Sequence, residues 1–139
     1  MAGWIIYLIK RSSPNNNRYH TLFQSSPSAL IEIDEQWRIV GWNGNAQTIF
    51  GWKESEVIGQ YIIDLLVPLK DRGHVHSALT QAVKEGKSDS KNFNLSKENK
   101  ELFCEWHNSR IDHEPLGILC TARDITEITS HVSTLTHQA

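Results

Sequence analysis

The sequence predicts an α+β domain built on one antiparallel sheet, and three observations carry that expectation. Two short β-type runs, 28–34 and 38–42, are separated only by Glu35-Gln36-Trp37, a gap of hairpin length. Three further strand-like runs, at about 90–97, 100–111 and 116–124, are joined by the polar turns "KENK" (97–100) and "DHEP" (112–115). Between the two groups lie helical signals only. Strands grouped rather than alternating with helices are the mark of α+β, and consecutive hairpins require antiparallel pairing.

The first element is the hardest to place. Residues 4–9 read Trp-Ile-Ile-Tyr-Leu-Ile and are followed by Lys10-Arg11. Six apolar residues are too few to cross a bilayer, which takes roughly 20. Two readings stand: the cytoplasmic end of a membrane helix just before residue 10, with interfacial aromatics followed by cations, or a short segment packed on the domain or on a second copy. Ser12 to Asn17 is a polar break and reads as a linker. Tyr19, Leu22 and Phe23 then fall at helical spacing, and Pro27 stops that helix.

The middle of the chain is helical. From Asn43 to Phe50, Ala46, Ile49 and Phe50 share one helix face, and Gly51 sits where a left-handed C-terminal cap belongs. Lys53 to Val57 is a further turn, closed by Gly59. The apolar run 61–68 ends at Pro68. From Asp71 to Glu85, Val75, Ala78, Leu79, Ala82 and Val83 form a single apolar stripe. Asp71 is placed to cap its start, and Gly86 follows its end.

Composition narrows the function. The chain of 139 residues is 39% hydrophobic, which suits one domain with an ordinary core. Its net charge is −2, and no basic run exceeds Lys10-Arg11, so no nucleic-acid partner is expected. Cys104 and Cys120 have neither disulfide-framework nor metal-ligand spacing, and a reducing compartment is the default. No signal-peptide pattern is expected at the start. G-x-S-x-G, H-E-x-x-H and phosphate-loop motifs are absent, so no catalytic residue is expected, and an enzyme is the least supported reading.

The segments "GWNGNAQTIFGW" (41–52), "SEVIGQ" (55–60), "LLVP" (65–68), "EWHNSRI" (105–111) and "GILCTARDITE" (117–127), taken together and in this order, resemble a PAS domain. The resemblance covers about 25–126. It implies a five-stranded antiparallel sheet of order 2-1-5-4-3, with short helices on one face and a ligand pocket between them. It divides the chain into an N-terminal apolar segment, linker and short flanking helix (1–24), the PAS domain (25–126) and the start of a C-terminal signalling helix (127–139). The implied function is a non-catalytic sensory and dimerisation module of a larger signal-transduction protein of bacterial type. Its output, a histidine kinase or diguanylate cyclase, lies outside this chain. The expected location is the cytoplasm, or the cytoplasmic part of a membrane-anchored protein.

The last strand leads into "RDIT". Asp124 with Glu127 is a capping-box pattern, and Ile125, Ile128, Val132 and Leu135 are spaced like an a/d seam. In PAS-containing signalling proteins this junction passes strain to the next module, so the resemblance implies Arg123, Asp124 and Thr126 as the signal-transfer residues. A homodimer through the N-terminal segment and the C-terminal helix is the expected assembly, with a downstream output domain as partner.

The resemblance implies cofactor chemistries that depend on single positions. Flavin-binding relatives carry a reactive cysteine four residues into a segment that here runs from Gly59 to Leu66. Ile62 occupies that position. Haem-binding relatives place a histidine where Val75 falls, with His74 and His76 on either side. Haem on His74 or His76 is the alternative reading, but a helix turns about 100° per residue, so an inward Val75 turns both away. No cofactor is predicted. Leu102, Cys104 and Trp106, with Phe93 and Leu95 on the neighbouring strand, are expected to face inward. With Ile33, Ala46, Phe50, Ile62, Val75 and Leu79 they either enclose an unknown small ligand or fill the core. The strand 116–124 is apolar on both faces and cannot be oriented.

Overall fold

A computed structural model describes residues 14–128. The apolar segment 4–9 and the seam residues Val132 and Leu135 lie outside the described residues. In chain order the elements are α1 (Pro14–Ser25), β1 (Ala29–Ile33), β2 (Ile39–Trp42), α2 (Gly44–Phe50), α3 (Glu54–Val57), α4 (Ile62–Leu66), a single 3₁₀ turn (Leu69–Asp71), α5 (Arg72–Glu85), β3 (Lys87–Leu95), β4 (Glu101–Ile111) and β5 (Gly117–Asp124). The strands form one five-stranded sheet of order β2-β1-β5-β4-β3, and every pairing is antiparallel.

The central pair fixes which way every side chain points. Ile31 lies opposite Cys120, and Ile33 opposite Ile118. Strand side chains alternate between faces, so Ile118, Cys120 and Ala122 turn inward with Ala29, Ile31 and Ile33. All six are buried. This orients the last strand, whose apolar character on both faces hides its direction in the sequence. Helices α2 to α5 cover this inner face. Trp42, Phe50 and Trp106 run through the core as a ring ladder, 5.8 Å between the first two centroids and 5.9 Å between the last two.

Local rules account for most boundaries. Gly51 (φ 82°) and Gly86 (φ 94°) both end helices in the left-handed conformation that an L side chain disfavours. Asn43 caps α2 through a hydrogen bond from the Ala46 amide.

Four expectations need correction. The linker over 12–17 is shorter than expected: α1 begins at Pro14, since proline is well suited to a helix's first position. Strand β3 begins at Lys87, ahead of the expected start near residue 90, because its polar side chains give no hydrophobic alternation. Asp71 makes no cap bond; its Oδ2 accepts from the Phe93 amide at 2.6 Å, which satisfies a donor on the free edge of β3. The stripe on α5 is narrower than its spacing implies. Ala78, Leu79 and Ala82 are buried, but Val83 is 49% exposed and Val75 is half-buried.

Candidate functional site

The site grows from the inner face of β3. Its sequence Lys-Ser-Asp-Ser-Lys-Asn-Phe-Asn-Leu alternates exposed and buried, and the buried set is Ser88, Ser90, Asn92 and Asn94. Asn108 on β4, opposite Cys120 on β5, joins them and is buried too. Buried polar side chains need partners, and most find them in each other. Ser90 Oγ donates to Asn92 Oδ1 (2.7 Å), Asn92 Nδ2 to Asn94 Oδ1 (3.3 Å) and Trp106 Nε1 to the same oxygen (2.9 Å). The network is tied to the helices by Asn94 Nδ2, donating to Leu66 O at 3.1 Å, and by Ser88 Oγ, donating to Ala78 O at 2.6 Å.

Across from this polar wall stand Ile62 on α4, Val67 after it, and Val75, Ala78 and Leu79 on α5, with Trp106 and Cys120 closing the sides. Between the two walls is a cavity of about 20 Å³, measured as space for the centre of a water-sized molecule. One water takes roughly 10–15 Å³ on this measure, so the cavity admits water or a molecule of a few heavy atoms. A flavin or a haem is far larger.

The sequence-predicted site residues divide into three groups. Ile62, Val75, Leu79 and Trp106 line the cavity. Ile33, Ala46, Phe50 and Cys104 are buried core residues that do not line it. Phe93 and Leu95 are misassigned. They stand on the other face of β3, where the Phe93 ring lies 4.9 Å from that of Phe103. Their apolar character pulls the expected register by one residue, and a one-residue slip exchanges the faces. The polar wall is the part missed altogether, since Ser and Asn on a strand read as surface.

His74 and His76 are exposed, and neither lines the cavity. The His76 ring instead meets Trp37 edge-on at 4.7 Å. Among the described residues no three His, Cys, Asp or Glu side chains cluster as metal ligands. The thiols of Cys104 and Cys120 are both pushed up to about 12, Cys104 by burial and then by Asp124, Cys120 by burial alone. Neither supplies a reactive thiolate at neutral pH.

The exit of the sheet is held by a compact set of bonds. The Ile125 amide donates to Phe103 O (2.8 Å). The Phe103 amide donates to Thr126 Oγ1 (2.8 Å), and that hydroxyl donates to Asp124 Oδ1 (2.6 Å). The same carboxylate oxygen accepts from the Thr126 amide (3.0 Å), and residues 126–128 are helical. Asp124 therefore holds the Thr126 amide, two residues on, rather than the Glu127 amide that a capping box uses, and among the described hydrogen bonds Glu127 makes no return bond. Arg123 reaches Glu105 at 3.2 Å with a side chain 67% exposed, an ion pair worth little in water. On the same outer face His107 Nδ1 lies 2.7 Å from Asp89 Oδ1. That hydrogen bond raises the imidazole pKa, with Glu105 adding to it, so the pairing weakens as pH rises through the raised value.

The family model for the PAS fold matches residues 17–125. The chain belongs to the PAS family. It is similar to the PAS domain of a Colwellia psychrerythraea protein, with 29% identity over 80% of this chain and 97% of that one and a TM-score of 0.72. A PAS domain from a two-component sensor histidine kinase shares the fold at 11% identity, covering 79% and 96% of the two chains with a TM-score of 0.68. So does the PAS domain, in complex with ethanol, of a LuxR-family transcriptional regulator from Burkholderia thailandensis, at 17% identity, 77% and 96% coverage and a TM-score of 0.65. The comparison with curated proteins found no match. No helix among the described residues is long and apolar enough to cross a membrane.

Proposed function

We propose that this PAS domain is a non-catalytic sensory and dimerisation module that passes a signal from its cavity through Arg123, Asp124 and Thr126 to an output module in a larger protein, a histidine kinase or a diguanylate cyclase. One observation carries the reading. A single strand, β4, holds both the cavity wall, at Trp106 and Asn108, and the backbone that grips the exit, at Phe103. A shift of β4 on occupancy reaches Thr126 and Ile125 directly, through one hydrogen bond from Phe103 to each, and a packed sheet transmits such shifts because its interior is poorly compressible. The ethanol complex of a relative with the same fold supports an occupant of small size.

Replacing Asp124 removes the acceptor that holds both the Thr126 amide and its hydroxyl. In Asp124→Ala we expect a loss of roughly 0.5–2 kcal/mol, the range for a lost cap, with the sheet still folded by circular dichroism. Output in the full-length parent should no longer follow the stimulus. A variant that signals normally while melting like the wild type reduces the junction to a tail.

The same reading has the chain pair with a second copy through residues 4–23 and the C-terminal helix. Helix α1 supports it by leaving Leu22 60% exposed and Tyr19 45% exposed, large apolar surfaces better buried than left in water. Removing residues 1–16 should convert a dimer to a monomer in light scattering at micromolar concentration. An unchanged dimer moves the interface elsewhere and favours the membrane-helix reading of residues 4–9.

A further inference from the structure

We infer that the cavity selects a small uncharged molecule carrying both a hydrogen-bond donor and an acceptor, a carboxamide or an alcohol of a few heavy atoms, and rejects the anion of the same shape. This rests on the sensory reading above and adds the chemical class of its ligand. The class follows from what the cavity wall offers. No Lys, Arg, His, Asp or Glu lines it, so a carboxylate placed inside gives up its hydration with no cation to replace it. Most of the surface facing the cavity is apolar, so an occupant gains over a purely apolar one of the same shape only through the few polar groups it reaches.

Those groups can be named. Asn108 is 3% exposed and lines the cavity. Its side chain makes one long bond, Nδ2 to Ser88 Oγ at 3.3 Å, and among the described residues no side chain donates to its Oδ1. Ser90 Oγ donates to Asn92 and accepts from no described side chain. The other two carboxamides of the wall are occupied within the network, Asn92 by Ser90 and Asn94 by Trp106 and Leu66. The free capacity of the wall is therefore one carboxamide edge plus one hydroxyl lone pair. A carboxamide presents a donor on one side and an acceptor on the other whichever way it is turned. A ligand carrying one of each matches it in both orientations. The remaining wall, Ile62, Val75 and Leu79, receives the short apolar end.

Acetamide and acetate separate the alternatives, since they share a shape and differ in charge. The full isotope-labelled chain is titrated with each at neutral pH and read by backbone and side-chain amide NMR. Acetamide should move the signals of Ser90, Asn92 and Asn108 with a millimolar dissociation constant, which the small number of ligand atoms sets. Acetate should bind at least about tenfold more weakly, and Asn108→Leu should weaken acetamide by about tenfold, the loss of one buried hydrogen bond. If Asn108→Leu does not fold, Ser90→Ala reads the same wall. Equal binding of acetate and acetamide overturns the assignment, as does a cavity whose signals respond to neither because it holds only water. The amides of Phe103 and Thr126 report separately on the exit. Cavity shifts without exit shifts leave the ligand class standing and overturn the sensory coupling. A silent cavity in a chain whose output still depends on Asp124 overturns the ligand class alone.

Discussion

Gly117→Ala should destabilise the domain by about 3 kcal/mol or more, and lower its melting temperature by about 10 °C. Gly117 opens β5 and is buried. A methyl group at its Cα falls far inside contact distance of the Ile33 carbonyl oxygen, 3.3 Å from the carbonyl carbon and 3.5 Å from Asp34 Cα. All three neighbours are backbone, so no flexible side chain can swing aside. Relief requires β5 to move away from β1, and the register Ile33 to Ile118 begins at the next residue. Moving it breaks the centre of the sheet rather than an edge. Thermal unfolding followed by circular dichroism measures the effect. A variant that melts within about 2 °C of the wild type, less than 1 kcal/mol for a domain of this size, shows that the β1–β5 junction has slack that this geometry denies. Gly51, also glycine for a structural reason, has 3.5 Å to the Lys97 Cβ; there the positive φ, not the space, is what alanine would violate.

How much of this was legible in the sequence depends on which force leaves a mark there. Helix ends were readable because Gly51 and Gly86 carry a steric signal in the residue itself. The buried face of α5 was readable through Ala78, Leu79 and Ala82, since a period near 3.6 is unambiguous over four turns. That one stripe, with the alternation of Leu102, Cys104 and Trp106 on β4, places Leu79 and Trp106 at the cavity. The polar wall was not readable. Ser88, Ser90, Asn92 and Asn94 are buried only because they bond to each other, to Trp106 and to helix carbonyls. Those partners lie up to 28 residues away. With polar residues on one face and Phe93 and Leu95 on the other, hydrophobic alternation points the strand the wrong way. Asp71 failed for a related reason. A capping residue was in the capping position, but a bond from Phe93, 22 residues on, claimed its carboxylate. Long-range partners decide such cases, and they have no local signature.

Asn43→Ala should be the most damaging polar substitution in the domain, with a loss of about 3–5 kcal/mol and a melting temperature lower by about 10–15 °C. The residue is 1% exposed and ties three elements together. Its Oδ1 accepts from the Leu30 amide at 2.9 Å in β1 and from the Ala46 amide at 3.0 Å in α2. Its Nδ2 donates to Phe23 O at 3.1 Å in α1 and to Ser28 O at 2.8 Å in the connection to β1. Alanine leaves all four backbone groups without this partner, in a place where water cannot easily replace it. Each orphaned group costs about 1–3 kcal/mol when fully buried, and the total stays below the sum because the loop between α1 and β1 can relax. Asn43→Ser separates the parts. Serine restores the cap on Ala46, worth about 1 kcal/mol, but is too short to span to Phe23. Its residual loss is that of the bonds to Leu30, Phe23 and Ser28, which tether α1 and the connection to the sheet. Hydrogen exchange should then show the Ala46 amide protected in the serine variant and the Leu30 amide still exposed to exchange. If Asn43→Ala melts within about 1 kcal/mol of the wild type, α1 is held by Phe23 burial and by Gln24, which donates to Trp42 O and Glu54 at 3.3 Å each. The flanking helix would then couple to the domain through Phe23 packing and the Gln24 bonds and not through the Asn43 carboxamide.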